Sequence, residues 1–377
     1  MMPLIQLQGA NPVALFDTAL NAAHSRASAG GQLAEPYFVR ELISNTTIRA
    51  LNTAAANSYD ENLNVVRFRG GFLHSRPWAV FDALDSLGNK KIGCTRELAD
   101  ALLVFHLTEQ DGTGAHKIVR RAACLLMFKM SHSALPTTPS FIPLGAVLPN
   151  NTDQEQFYLF NQWPEFDLKT SKKTKIKGKG NYLLAKNSDF SFGKYSLVWD
   201  GGVVPPQWSE RWRYAAPIAS VPVTDSLGSL LGKLVDSHKT VGETFTPTGT
   251  RDWDFLLKDL LQYAETKFWK GSRNANPAGL SFLSHFEKTI ENLGTCMQHA
   301  RLGLGPDYDP GMEYYYMRHF HHSRMHEGYP NINNEIDLDG MPIIFATATS
   351  FKSPERRDAP SLQARKRALL DALRSLR

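Results

Sequence analysis

Three groups of side chains have the types and spacing for chemistry. The first lies between Asp167 and Asp189, where Lys169, Lys172, Lys173, Lys175, Lys177, Lys179 and Lys186 occur without an intervening acid. No apolar core holds that many like charges, so the segment belongs in water or against an anionic surface. Lysines so placed neutralise phosphates with a salt-dependent, sequence-independent affinity. Aromatic residues crowd both ends: Phe157, Tyr158, Phe160, Trp163 and Phe166 before it, and Tyr182, Phe190, Phe192, Tyr195 and Trp199 after. Exposed aromatics would stack bases at roughly 1–3 kcal/mol each, whereas buried ones would be the core of a β unit.

The second group runs from Glu313 to Glu327. In a helix, His319, His322 and His326 share one face, and three imidazoles so arranged suit zinc or another transition metal. The metalloprotease pattern is not met, because no glutamate follows the first histidine of an HExxH. Nor is a calcium loop, since Ala346 stands where the last bidentate acid is needed after Glu335, Asp337 and Asp339. The preferred expectation is an aromatic and histidine-rich packing surface within the fold or between subunits. The third group is Arg365, Lys366 and Arg367, beside the stripe Leu362, Leu369, Leu373 and Leu376 in a helix capped by Ser361. Such a helix packs on its own domain, docks on a neighbouring copy or lies on nucleic acid.

Charge is uneven along the chain. The net formal charge is +5, and the residues from Lys352 onward carry eight bases against three acids, so the rest is balanced. Local anion contact follows, rather than a uniformly basic surface. Cys94, Cys124 and Cys296 are odd in number and lack CxxC spacing, which points away from a disulfide framework and toward a reducing compartment. The sequence shows no signal-peptide pattern and no membrane-length apolar run, giving the expectation of an intracellular or virion protein with no membrane partner. It also contains no GxxxxGK[ST], GxGxxG, GxSxG or HExxH, so no catalytic residue or cofactor is expected.

The elements that must position these groups read as α+β, helix-dominated, with an irregular, partly β middle. Residues 1–135 are expected to be helical. Asn11–Pro12 opens a helix to about His24, and Thr95 caps another to about Thr108 with Leu98, Ala101, Leu102 and Phe105 on one face. A third, from about Ala115 to Met130, would place Lys117, Arg120 and Arg121 together outside. Residues 136–224 are Pro-rich, with short β-prone runs such as FYLF and YSLVW and the lysines on a hairpin or loop. Helices resume over 225–353, one capped by Thr250 and one spanning about Gly279 to Ala300, and 354–377 form a linker and the basic terminal helix. The function this character suggests is a non-enzymatic, self-associating structural protein that holds nucleic acid, most concretely the coat or nucleocapsid protein of an RNA virus. Two alternatives are an RNA-binding CRISPR-type backbone subunit, which would show ββαβ order before residue 135, and a metal-dependent hydrolase or nuclease using the three histidines.

Overall fold

A computed structural model describes residues 11–29, 34–59, 64–73, 77–110, 116–131, 148–169, 180–185, 189–200, 210–218, 223–236, 240–268 and 341–351. The order begins with α1 (Pro12–Ala29), α2 (Glu35–Glu41) and α3 (Asn45–Ser58). Five strands follow: β1 (Asn64–Leu73), β2 (Trp78–Leu84), β3 (Lys90–Glu97), β4 (Ala101–Gln110) and β5 (His116–Ser131). Then come α4 (Thr152–Gln162), β6 (Phe166–Lys169), β7 (Gly193–Trp199), β8 (Trp212–Ala215), β9 (Asp225–Ser226), α5 (Leu227–Val235), β10 (Glu243–Thr244), α6 (Asp252–Phe268) and β11 (Met341–Phe351).

A mixed sheet of order β1-β11-β4-β5-β7-β8-β9 forms the middle layer, and β10 pairs with β5 where β7 leaves off. β11 lies parallel to β4 and antiparallel to β1, and β5 lies parallel to β7. One face of the sheet carries α1, α2, α3 and α5, meeting it through Phe16, Phe38, Leu51 and Leu230 over Leu103, Phe105, Cys124 and Phe128. The other carries α4, α6 and a small sheet of order β3-β2-β6, with Phe157, Phe160, Trp253 and Leu257 over Leu102, Val104, Leu125 and Phe345. Each fully buried side chain of this size favours folding by roughly 1.5–3 kcal/mol.

The helix-dominated expectation is therefore overturned. The supposed helix beginning at Thr95 is the end of β3 followed by β4, and the one from Ala115 is β5. Leu102, Leu103, Val104, Phe105 and, on β5, Leu125, Leu126, Met127 and Phe128 are all buried, because the sheet is covered on both sides. A strand with two dry faces loses its polar alternation and reads as a continuous apolar run, which also fits a buried helix. The reverse error occurs at FYLF, which lies in α4. There the Asn151 side chain accepts the backbone N–H of Gln154, with Asp153 and Glu155 in the first turn. α6 begins at Asp252, and its third residue, Asp254, accepts the backbone N–H of Arg251 rather than leaving the cap to Thr250. The helix from Pro12 and the strand at YSLVW are present as expected. Among the described residues the first 131 run as three helices and then five strands, so the ββαβ order does not occur there.

Strand geometry also separates the bases of β5. Successive side chains point to opposite faces, so Arg120 does not share an outer surface with Arg121. Arg120 is 8% exposed, its Nη1 has no hydrogen-bond partner, and its guanidinium sits 5.9 Å from the Phe105 ring centre. A buried donor without an acceptor costs about 1–3 kcal/mol, so Arg120→Met is expected to raise stability by about 1 kcal/mol. Denaturant unfolding checks this, and a loss of stability would show that the guanidinium is compensated.

Candidate nucleic-acid interface

The lysine segment leaves the small sheet at the end of β6. That strand pairs antiparallel with β2, setting Lys169 opposite Trp78 and Phe166 opposite Phe81. The chain returns at Tyr182, where a two-way backbone bridge to Phe166 closes the loop, with N···O distances of 3.0 and 2.8 Å. Between these points Gly180 and Asn181 adopt the left-handed conformation, at φ 68° and 47°. That turn brings the Asn181 N–H to the Asp167 carboxylate at 2.9 Å. Glycine and asparagine are the residues that enter this region most cheaply, which explains their place directly after Lys179.

Beyond the bridge, the returning chain is bonded to α6. The Tyr182 hydroxyl donates to Asp259 at 2.5 Å and the Leu183 N–H to Asp252 at 2.7 Å. The Tyr182 ring stacks on Phe166 at 5.5 Å, and Phe166 in turn meets Trp163 at 6.4 Å. The described residues on either side of the lysine segment are thus joined to each other and anchored in the core.

All ten aromatic residues flanking the segment are buried. Base stacking by these rings is ruled out as they stand, and they form the β-unit core instead. Of the seven lysines, Lys169 is described and half-buried at the end of β6, while Lys172, Lys173, Lys175, Lys177, Lys179 and Lys186 lie outside the described residues. So do Arg365, Lys366 and Arg367, and the histidines His319, His322 and His326. Among the described residues no group of three or more His, Cys, Asp or Glu side chains is placed to hold a metal ion. No helix among them is long and apolar enough to cross a membrane.

The described thiols and one histidine are packed away from chemistry at the surface. Burial pushes the Cys124 thiol up to about 12 and the His106 imidazole down to about 3. Cys94 is also buried, and desolvation raises its thiol. His24 donates its Nε2–H to the Trp199 carbonyl, 2.6 Å away, and stacks on the Trp199 ring, to which Arg211 adds a cation–π contact at 4.3 Å.

Sequence reasoning missed two charged groups that the fold buries. Glu155, 5% exposed at its side chain, bridges Lys91 at 2.6 Å and Arg96 at 2.5 Å, joining α4 to β3. Lys194, within the apolar run of β7, is 4% exposed. The only signal for Lys194 was a lone ammonium inside a run otherwise fit for a core strand. The chain matches no family model, no curated protein and no solved structure.

Proposed function

We propose that this protein is a structural, self-associating protein that holds nucleic acid through the lysine segment, as the coat or nucleocapsid protein of an RNA virus does. The observation that carries this reading is the foot of the loop. Residues 166 and 182 are joined by backbone hydrogen bonds, so the two ends of the lysine-dense sequence are held together while its aromatic neighbours stay in the core. Binding by such a segment is electrostatic and reads no base sequence.

Copy-to-copy contact has an apolar surface to draw on. Leu84, Leu87 and Ile92, on the β2–β3 hairpin of the same small sheet, are 50%, 83% and 77% exposed. Large side chains this exposed and this close in the chain suit a protein contact better than bulk water.

The test is a salt series. Log affinity for single-stranded RNA should fall linearly with log salt, and each alanine at Lys172, Lys173, Lys175, Lys177 or Lys179 should reduce the slope by about 0.7. Light scattering with the 260/280 nm absorbance ratio, at low and high salt, reads assembly in parallel. Particles that shed nucleic acid as salt rises support the proposal. A monomer whose RNA affinity ignores both salt and these lysines ends it.

A further inference from the structure

On the α5 side of the large sheet, a cavity of about 210 Å³ is lined by Lys194, Tyr214, Thr224, Asp225, Lys233 and Thr240, together with Ala215 and Ala216. Strand register explains why these residues converge. On β7, Lys194 and Ser196 point to one face; Ser196 sits opposite Tyr214 of β8, which sits opposite Asp225 of β9. α5 then brings Lys233 over the row. Its ammonium donates to the Tyr214 hydroxyl at 3.0 Å and to Asp225 at 2.8 Å.

The charges do not balance. Asp225 is engaged by Lys233, while Lys194 has no carboxylate within ion-pair distance among the described residues. Its Nζ donates to one backbone carbonyl, that of Asp189 at 2.7 Å, leaving two of three protons unassigned. The Tyr214 hydroxyl accepts from Lys233 and faces the Asp225 carboxylate, which engages its proton. Beside them the Ser196 hydroxyl is fully buried with no partner. Burial depresses the ammonium of Lys194, which is the cost of holding a cation there without a counter-ion. The site therefore has two cations, one anion and two unassigned protons on Lys194.

Size narrows the occupant. The cavity is well above the roughly 10–15 Å³ that one water needs, and below the roughly 300–1,000 Å³ of pockets for drug-sized ligands. A planar carboxylate would use fewer of the donors than a tetrahedral anion, whose oxygens project in several directions. We propose that this cavity is a phosphate site, binding inorganic phosphate or the phosphate of a small phosphomonoester between the ammonium groups of Lys194 and Lys233. This site is separate from β6 and Tyr182, the described residues that flank the lysine segment and pack on the other side of the large sheet.

Titration of the full chain with inorganic phosphate, glycerol phosphate and acetate, followed by calorimetry, tests the assignment. Saturable one-to-one binding of either phosphate is expected, at least tenfold tighter than acetate. The tighter of the two phosphates identifies the source, free anion or ester. Lys194→Met should weaken phosphate at least tenfold, and Lys233→Met, at a side chain 34% exposed and so safer for folding, should weaken it in the same direction. Alanines at the five loop lysines from Lys172 to Lys179 should leave it unchanged, which separates this site from RNA retention. Absence of saturable phosphate binding by the folded chain would overturn the proposal. So would wild-type phosphate affinity in folded Lys233→Met, or loss of phosphate binding in the loop variant.

Discussion

Trp163→Ala is expected to destabilise the protein by about 3–5 kcal/mol, a large share of what holds an ordinary domain folded. The indole is 2% exposed and packs among Phe160 at 5.1 Å, Phe192 at 6.3 Å and Phe166 at 6.4 Å. These aromatics leave little freedom to collapse into the space. Gly193 shows how tight the site is, since a methyl group there would lie 2.8 Å from the Phe160 ring and 2.9 Å from Trp163. Trp163→Phe should cost much less, because the indole N–H has no hydrogen-bond partner to lose. The alanine variant should also loosen the foot of the lysine loop. Amide exchange at Tyr182, whose N–H is bonded to Phe166, should accelerate more than exchange in α1 on the opposite face. Denaturant unfolding gives the first number and exchange the second; equal unfolding midpoints for the wild type and Trp163→Ala would refute the packing argument.

Asp17→Ala should cost about 3 kcal/mol, through hydrogen bonds rather than volume. The carboxylate is buried between α1 and α5, accepting from the Ser226 hydroxyl at 2.6 Å and the Gly228 N–H at 2.9 Å. Hydrogen bonds to charged groups contribute about 1.5–3 kcal/mol each, and the alanine variant leaves both donors buried. Gly228 has no room for a side chain because an added Cβ would collide with Asp17, so Gly228→Ala should be damaging for the same reason.

The pH dependence has a definite sign. Burial raises the Asp17 carboxyl above its ordinary value, against the lowering by Ser226 and Gly228. The folded protein therefore binds the proton more tightly than the unfolded chain, and this group's stabilising contribution is lost as pH rises from about 4 through the raised value. In Asp17→Asn that decline is absent, so wild-type stability relative to the variant should fall between pH 4 and pH 7. A relative stability that rises over that interval would contradict the assignment.

How much of this was legible in the chain depends on what each residue faces. Helix starts with a strong local signal were readable: Asn11–Pro12 marks α1, and the spacing of Trp253, Leu256, Leu257, Leu260 and Leu261 marks α6. β4 and β5 were not readable, because their alanines, leucines and methionine favour helix locally and only burial on both faces makes them strands. The lysine segment announced itself through composition, yet its anchoring depends on the Phe166–Tyr182 bridge and on acids of α6 that lie 69 and 77 residues from their partners in sequence. The phosphate cavity was invisible for a related reason. Lys194, Tyr214, Asp225 and Lys233 have no shared motif, and sheet register alone brings them together.

The insertion of β11 between β1 and β4 has a consequence for synthesis. Ser350 pairs with Asn64 and Ile343 with Leu102, so a nascent chain shorter than about 340 residues has two half-built sheet margins facing each other with nothing to join them. Exposed strand margins recruit foreign strands, and contacts this remote in sequence form slowly. A ribosome-bound intermediate of this protein is thus a natural client for chaperones until β11 emerges.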